Sequence, residues 1–274
     1  MNFNELTKQR FNDTNSVLCI GLDPIYEDIP VKKDTIEKTI TNFLFEIIDN
    51  FGQYALAVKP NIAFFEQYGI EGLIALKSVI KRAKEQKIPV ILDAKRGDIG
   101  NTSKAYAKSA FDVFDADSIT LAPYMGTDSL SPFFEYKDKG FFILARTSNP
   151  GSKDFQLLKT ENGEYLYQSV IKKIVQWNNE FKVSVGAVAG ATQLNELEMI
   201  SKYFSENNCP PLLIPGVGKQ GGNFEEVIKT LRSVDYDLSR VFINSSSKIL
   251  YAYKESELDY LDASKQEIYK MLLK

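Results

Sequence analysis

The sequence predicts a single α/β domain over residues 1–274, a (β/α)8 TIM barrel. Eight apolar, strand-like runs alternate with eight segments whose apolar residues recur at helical spacing, and no linker interrupts the series. The length of 274 residues suits one large α/β domain. Several predicted strands end in a polar residue, and the carboxyl ends of barrel strands meet at one mouth, where barrel enzymes place their active sites. A doubly wound sheet is the alternative that the same alternation allows.

The predicted strands are short apolar runs rich in β-branched residues, several of them bounded by glycine, proline or a charged residue. They span residues 17–23, 54–59, 88–92, 117–121, 141–145, 183–188, 212–214 and 240–243. The predicted helices carry apolar residues three and four positions apart, and Gly52 follows the first of them as a stop signal. They span residues 35–51, 72–86, 103–114, 129–137, 164–181, 193–204, 224–231 and 261–273. An amphipathic segment that contains Phe3, Leu6 and Phe11 precedes the first strand.

Charge and hydropathy argue against several classes of function. The chain has 33 Lys and Arg residues against 36 Asp and Glu, and neither sign dominates a long block, which argues against a nucleic-acid or membrane surface as the main partner. No apolar run approaches the roughly 20 residues that span a bilayer. The N-terminus lacks the basic-then-apolar pattern of a secretory signal. Because Cys19 and Cys209 suit small apolar residues in a reducing compartment, we expect a cytoplasmic protein.

The chain contains no histidine. This excludes catalysis by a histidine acid or base, activation of a serine or cysteine nucleophile by histidine, and the commonest zinc ligand sets. Lysines and carboxylates at the ends of predicted strands therefore become the main candidates for chemistry.

One such cluster lies between Asp93 and Thr102, directly after the predicted strand 88–92. Side chains alternate along a strand, so Ile91, Asp93 and Lys95 share one face. Charges at the end of a buried strand are costly unless they pair with one another or with a substrate. A solvated strand end with a fortuitous ion pair is the simpler interpretation of this spacing.

The acids beside Lys95 indicate what the cluster could do. Asp93 precedes this lysine by two positions and Asp98 follows it by three, and nearby anions favour a charged ammonium, which is a proton donor rather than a Schiff-base amine. Asp93 would repel a substrate carboxylate, and Lys95 would stabilise the anion left by its departure. The cluster therefore suits decarboxylation followed by protonation, with neither metal nor cofactor.

A glycine-rich run, residues 216–222, follows the seventh predicted strand. It formally matches a dinucleotide-binding fingerprint, but the next strand ends in Asn244 rather than an acid, and no second nucleotide-binding half follows. The run suits an anion cradle better, since glycines let backbone N–H groups approach a phosphate. A simple turn is the alternative.

The chain from about residue 17 onwards resembles the orotidine 5′-phosphate decarboxylase family, and within it the bacterial type 2 subgroup. The motif Asp-x-Lys-x-x-Asp, here residues 93–98, continues into Ile-Gly-Asn-Thr and then Ala-Tyr-Ala as that subgroup does. The resemblance implies decarboxylation of orotidine 5′-phosphate to UMP and CO₂, the final step of de novo pyrimidine nucleotide synthesis. It implies that Lys95 protonates the C6 carbanion, that Asp93 lies beside the substrate carboxylate, and that Lys59 completes an alternating charge array and touches the ribose.

The resemblance also implies contacts between the substrate and several loops, and an active homodimer. The substrate-binding residues would be Asp23, Lys59, Asp98, Ile99, Thr102, Ser148, Pro215, Gly218, Gln220, Ser247 and Lys248. Asp98, which also belongs to the charge array, would reach with Thr102 into the partner's site. Asp23 would bind a ribose hydroxyl, and Ser148 would contact the pyrimidine edge.

The phosphate site departs from the family pattern at one position. The family usually places an arginine after the eighth strand, whereas Ser247 stands there in this chain and Lys248 follows. An ammonium is a point donor and lacks the bidentate fork of an arginine. The glycine-rich loop, with Pro215, Gly218 and Gln220, would close over base and phosphate.

Two other functions fit parts of the pattern. A magnesium-dependent sugar-phosphate decarboxylase of the keto-gulonate 6-phosphate type shares Asp-x-Lys-x-x-Asp, although such chains usually lack the Ile-Gly-Asn-Thr continuation; a Schiff-base aldolase is a weaker variant. A non-catalytic nucleotide-phosphate sensor is supported only by Ser247.

Overall fold

Eight parallel strands form one sheet in the computed structural model, which describes residues 1–218 and 221–273. The strands are β1 (Leu18–Leu22), β2 (Ala57–Pro60), β3 (Ile91–Arg96), β4 (Ser118–Leu121), β5 (Gly140–Arg146), β6 (Ser184–Ala189), β7 (Leu212–Pro215) and β8 (Val241–Ser245). Their order is β2-β1-β8-β7-β6-β5-β4-β3. Parallel bridges from Val58 to Val90 and from Asn61 to Asp93 join the two outer strands of this order. The sheet therefore closes on itself, which confirms the predicted barrel and excludes the doubly wound sheet.

Helices connect the strands on the outside of the barrel, as right-handed crossovers between parallel strands require. They are α1 (Phe3–Thr14), α2 (Ile36–Phe51), α3 (Ala63–Glu66), α4 (Gly69–Glu85), α5 (Gly100–Lys108), α6 (Thr127–Phe134), α7 (Leu166–Phe181), α8 (Leu194–Ser205), α9 (Phe224–Arg232), α10 (Ser247–Leu250) and α11 (Tyr260–Tyr269). Among the described residues, no helix has the length and hydropathy of a membrane span.

Local sequence explains where the longer helices begin and which face they bury. Helix α2 begins after Thr35, whose hydroxyl accepts a hydrogen bond from the Lys38 N–H at 3.1 Å. Its residues Ile40, Leu44 and Ile47 recur at helical spacing and are fully buried. Helix α9 likewise begins after an asparagine cap.

The amino end of the barrel is filled with apolar side chains. The inward-facing residues there include Ala57, Ile91 and Phe242, and Phe3 from α1 covers them, with its ring stacked 5.8 Å from that of Phe242. Gly140 admits this aromatic plug, since a Cβ at that position would lie 2.4 Å from the Phe3 ring. Charged side chains that face the interior are therefore confined to the opposite, carboxyl mouth.

The largest correction to the predicted elements concerns the third strand. The prediction ended it at residue 92, whereas β3 runs from Ile91 to Arg96 and so includes the charged residues. The strand continues into the barrel interior at Asp93, whose carboxylate finds partners there in Lys59 and Thr120. Helix α5 begins at Gly100, three residues earlier than predicted, and passes at Ser109 into one π-helical turn. The closing helix ends at Tyr269 rather than at residue 273.

Candidate active site

A layer of polar side chains lies above the apolar filling, at the carboxyl mouth of the barrel. Lys59, Asp93 and Asn244 come two residues after Ala57, Ile91 and Phe242 on their strands, so alternation turns them to the same interior. They are 4%, 7% and 8% exposed. The barrel thus places predicted site residues from separate strands side by side.

Asp93 lies between two lysines. Its Oδ2 accepts from Lys59 Nζ at 2.9 Å and its Oδ1 from Lys95 Nζ at 2.6 Å. The hydroxyl of Thr120 donates a third hydrogen bond, at 2.9 Å, to Oδ1. The charges found at the end of the strand are therefore a connected array, Lys59–Asp93–Lys95, in which the carboxylate is shared.

Burial and charge act in opposite directions on this array. Burial alone would raise the pKa of Asp93, but the two ammonium groups outweigh it and hold the pKa well below its usual range. Burial alone would lower the pKa of Lys59, but Asp93 and then Asp23 raise it above the ordinary lysine value. Both buried groups are consequently charged at neutral pH.

Lys95 differs from Lys59 in its exposure. Its side chain is 49% exposed, against 5% for that of Lys59. A half-exposed ammonium can contact a bound ligand and exchange protons with solvent, whereas Lys59 is fixed in the interior. The two lysines of the array are therefore chemically distinct.

Beside the array lies a cavity of about 180 Å³ whose lining contains polar atoms without partners. Within the described part of the chain, Asp23 Oδ1, Asn244 Oδ1 and Ser245 Oγ are buried and accept or donate no hydrogen bond. Buried polar atoms are normally paired, so three orphans around one cavity indicate a polar ligand. The Tyr251 hydroxyl holds the Asp23 segment in place by accepting from the Ile25 N–H at 2.6 Å.

The glycine-rich loop forms one wall of this cavity through Pro215, Gly216 and Val217. Three of its N–H groups are bonded inside the loop: those of Gly218, Gly221 and Gly222 donate to loop carbonyls at 3.0–3.1 Å. These three N–H groups are therefore already paired within the loop, and the anion cradle stays a prediction. The predicted contact residue Gln220 lies outside the described residues.

Lys248, in the short helix α10 that Ser247 begins, lies beside this wall. Both residues line the cavity, and the Lys248 stem packs against Gly218. Lys248 Nζ pairs with Glu255 Oε2 at 2.9 Å, and this carboxylate raises the pKa of the lysine. The structure thus places an ammonium, paired at present with a carboxylate, next to the position where the family has an arginine.

Ser148 lies in the loop after β5, and a buried arginine organises that loop. Arg146 is 2% exposed; its Nη1 donates to the Ser152 hydroxyl at 2.6 Å and its Nη2 lies 3.4 Å from Glu196 Oε1. Gly190 backs the loop, since a Cβ there would lie 2.9 Å from the Ser148 Cβ. This role of Arg146 was not predicted, although a charge at the end of an apolar strand is a visible signal in the sequence.

The residues predicted to reach into the partner's site lie outside the charge array of their own chain. The Asp98 carboxylate accepts from the Ile99 N–H at 2.8 Å, and across the two described stretches it forms no ion pair. Ile99 is 51% exposed, and Thr102 is exposed on the first turn of α5. The single chain therefore leaves the fourth charge of the expected array out of contact.

Comparison with known proteins gives one family over most of the chain. Residues 16–257 match the model of the orotidine 5′-phosphate decarboxylase / HUMPS family. An orotidine 5′-phosphate decarboxylase of Dehalococcoides mccartyi is 43% identical over 260 residues, which is 94% of this chain and 92% of the relative. One of Christiangramia forsetii is 44% identical over 269 residues, 97% of this chain and 95% of the relative.

Solved structures agree with these relatives. The Leishmania donovani OMP decarboxylase superposes with a TM-score of 0.81 at 36% identity, over 99% of this chain and 98% of that one. The orotidine 5′-monophosphate decarboxylase of Plasmodium berghei gives a TM-score of 0.85 at 25% identity, over 98% and 97% of the two chains.

The charge state of Asp93 can be tested through stability. Asp93→Asn should lower the free energy of unfolding at pH 7 by about 3–5 kcal/mol, because Lys59 then lies buried without its counter-ion. The pKa of Asp93 is depressed by folding, so its carboxylate stabilises the wild type above the unfolded-state pKa of about 3.9, and that stabilisation is lost as the pH falls below it. The difference in the free energy of unfolding between the variant and the wild type should therefore become smaller below about pH 4.

Urea unfolding followed by circular dichroism from pH 3 to pH 8 measures this difference. The matched control is Asp13→Asn, an exposed aspartate on α1, which should change the free energy of unfolding by less than about 0.5 kcal/mol at every pH. A penalty for Asp93→Asn that is unchanged down to pH 3 would contradict a charged, paired Asp93.

Proposed function

The chain belongs to the orotidine 5′-phosphate decarboxylase / HUMPS family, and from that premise we propose that it converts orotidine 5′-phosphate to UMP and CO₂ by direct protonation of a C6 carbanion. One observation carries this mechanism: the buried carboxylate of Asp93 is held ionised between the ammonium groups of Lys59 and Lys95. The reaction is the final step of de novo pyrimidine nucleotide synthesis.

The array accounts for both halves of the reaction. A substrate carboxylate beside the ionised Asp93 is repelled, and the repulsion ends when CO₂ leaves, so the array favours the transition state over the bound substrate. The bond from C6 to the carboxylate carbon breaks with its electron pair left on C6. Lys95 then stabilises that carbanion and gives it a proton, and its neutral amine regains a proton from solvent. The half exposure of Lys95 suits this return step.

The substrate would be held by the residues around the polar cavity. Asp23, whose Oδ1 is buried without a partner, would accept from a ribose hydroxyl, and Lys59 would contact the ribose from the array. Ser148 would contact the pyrimidine edge from the loop that Arg146 organises. Pro215, at the end of β7, would pack against the base.

Lys248 would supply the phosphate charge in place of the family's arginine. It lines the cavity together with Ser247, and its stem lies against Gly218 in the loop wall. To reach a phosphate, its Nζ would leave Glu255, an exposed pair that costs little to break. Gln220 would join the loop's contacts, as the family resemblance implies.

The active unit would be a homodimer in which each chain completes the other's site. Asp98, Ile99 and Thr102 project from the mouth at the start of α5, where Asp98 forms no ion pair with any described residue of its own chain. Two further apolar side chains in the loop after β4, Tyr124 and Met125, are 85% and 45% exposed. Burying them against a second copy would bring Asp98 toward the partner's Lys–Asp–Lys array.

We further propose that the chain works as one barrel domain over residues 1–274 in the cytoplasm, without metal or cofactor. Both cysteines are unpaired, which suits a reducing compartment.

Removal of Lys95 tests the mechanism directly. Lys95→Ala should lower kcat by about 10³-fold or more, because it removes both the proton donor and the charge that stabilises the carbanion. UMP binding should persist, because Lys59 remains to pair with the Asp93 carboxylate. The assay follows the loss of orotate absorbance in the presence of EDTA, with Lys229→Ala, an exposed lysine on α9, as control.

Two results would contradict the proposal. A Lys95→Ala variant with wild-type turnover would exclude Lys95 as the proton donor. Activity that EDTA abolishes and Mg²⁺ restores would favour the magnesium-dependent sugar-phosphate decarboxylase.

Subunit complementation tests the shared site. Lys95→Ala and Asp98→Asn homodimers should each be nearly inactive, but unfolding, mixing and refolding them together should restore about a quarter of wild-type activity, since half of the dimers are mixed and each has one intact site. Asparagine keeps the acceptor that holds the Ile99 N–H. Mixing Lys95→Ala with Lys59→Met should restore nothing, because both residues belong to one chain's array; equal recovery in both mixtures would refute the arrangement.

The phosphate role of Lys248 predicts a substrate-dependent defect. Lys248→Ala should lower kcat/KM for orotidine 5′-phosphate by about 10- to 100-fold, the value of one charged hydrogen bond. Turnover of orotidine, which lacks the phosphate, should be unchanged. Lys254→Ala is the matched control, since Lys254 pairs with Asp28 and does not line the inner cavity. Equal losses on both substrates would place Lys248 elsewhere.

A further inference from the structure

The pairing between β3 and β4 is irregular where the charge array lies. Ile91 pairs with Ser118 and Leu92 with Ile119, but the next pair is Arg96 with Leu121. Four steps along β3 thus match two steps along β4, so β3 carries two extra residues between Leu92 and Arg96. The segment Asp93–Lys95 consequently lacks the regular ladder bonds to β4.

The backbone of Lys95 has an unusual conformation at this irregularity. Its φ is +46°, in the left-handed region that residues other than glycine rarely adopt. Residues held in this region persist only when surrounding interactions fix them, and they concentrate at functional sites. The N–H groups of Ala94 and Lys95, which lack regular partners on β4, therefore need another hydrogen-bond acceptor to fix this conformation.

The hydroxyl of Thr120, on β4, does so. Thr120 Oγ1 accepts from the Ala94 N–H at 3.0 Å and from the Lys95 N–H at 2.9 Å, and it donates to Asp93 Oδ1 at 2.9 Å. Thr120 is 1% exposed, so water does not compete for these bonds. A hydroxyl has one donor and two acceptor lone pairs, and here all three are used.

We propose that Thr120 is a positioning residue for the decarboxylation. Its hydroxyl fixes the backbone from which Lys95 projects and orients the carboxylate that Lys95 and Lys59 share. This role of Thr120 rests on the proposed function, and the residue lies outside the set of site residues that the sequence and the family resemblance predict. The β-branched side chain suits it, because Thr has fewer χ1 rotamers than Ser and so presents Oγ1 in one direction.

The chain offers a matched set of variants. Thr120→Val keeps the shape of the side chain and removes the hydroxyl, which takes away the acceptor of the partly buried Ala94 and Lys95 N–H groups. Thr120→Ser keeps the hydroxyl and removes the methyl. Ser118→Ala removes a buried hydroxyl two residues earlier on the same strand, and in the described structure that hydroxyl has no hydrogen-bond partner.

Kinetics with orotidine 5′-phosphate test the proposal. Thr120→Val should lower kcat about 10- to 100-fold, because displacing a catalytic group by about 1 Å can cost that much, with KM and the Kd of UMP within about threefold of the wild type. Thr120→Ser should recover most of the loss, and Ser118→Ala should match the wild type. If Thr120→Val does not fold, Thr120→Cys, whose thiol is a weak donor and acceptor, replaces it.

A structural measurement separates this inference from the proposed function. A crystal structure of the Thr120→Val variant should show Lys95 out of the left-handed region, with the distance from Lys95 Nζ to Asp93 changed. Wild-type kcat in Thr120→Val, an equal defect in Thr120→Ser, or an undisturbed Lys95 would overturn the inference. Absence of turnover in the wild-type protein would instead overturn the proposed function and leave the positioning of Lys95 testable in the crystal.

Discussion

The site depends on one buried charge, the carboxylate of Asp93. In an apolar barrel an isolated carboxylate would take up a proton, but the ammonium groups of Lys59 and Lys95 lie 2.9 Å and 2.6 Å away and keep it ionised. The same pairing keeps Lys59 charged although it is 4% exposed. The two lysines thus keep the buried carboxylate of Asp93 ionised. Asp93 in turn provides the negative charge that a substrate carboxylate would meet.

The rest of the barrel is built so that this array can exist at one end only. Apolar residues and the Phe3 plug fill the amino end, and the polar layer begins two residues further along each strand. At the mouth, β3 departs from regular pairing, and the Thr120 hydroxyl replaces the missing ladder bonds. A regular strand would have continued the alternation and left Asp93 and Lys95 without the support of that hydroxyl. The irregular backbone and the charge array are therefore parts of one arrangement.

The part of the site that would bind the substrate differs from the charge array in how its polar groups are paired. Within the array Lys59, Asp93 and Lys95 are all paired, whereas around the neighbouring cavity Asp23, Asn244 and Ser245 have buried polar atoms that find no partner among the described residues. Paired groups hold a fixed geometry for chemistry, while unpaired groups are available to a ligand. Lys248 lies between these cases, since its partner Glu255 is exposed and can give way to a stronger anion.

The sequence by itself determined the alternation of strands and helices, because periods of 2 and 3.6 residues are local properties, and it turned Asp93 to the same face as Ile91 for the same reason. It also identified Lys59 and Asp23 as polar ends of apolar strands. Only the tertiary structure decided the rest. The role of Thr120 depends on how β4 registers against β3, that of Arg146 on a loop folded back onto β5, and the pairing of Lys248 on a carboxylate seven residues away. The extent of β3 belongs to this group too, since the buried carboxylate of Asp93 depends on Lys59 and Thr120 from other strands.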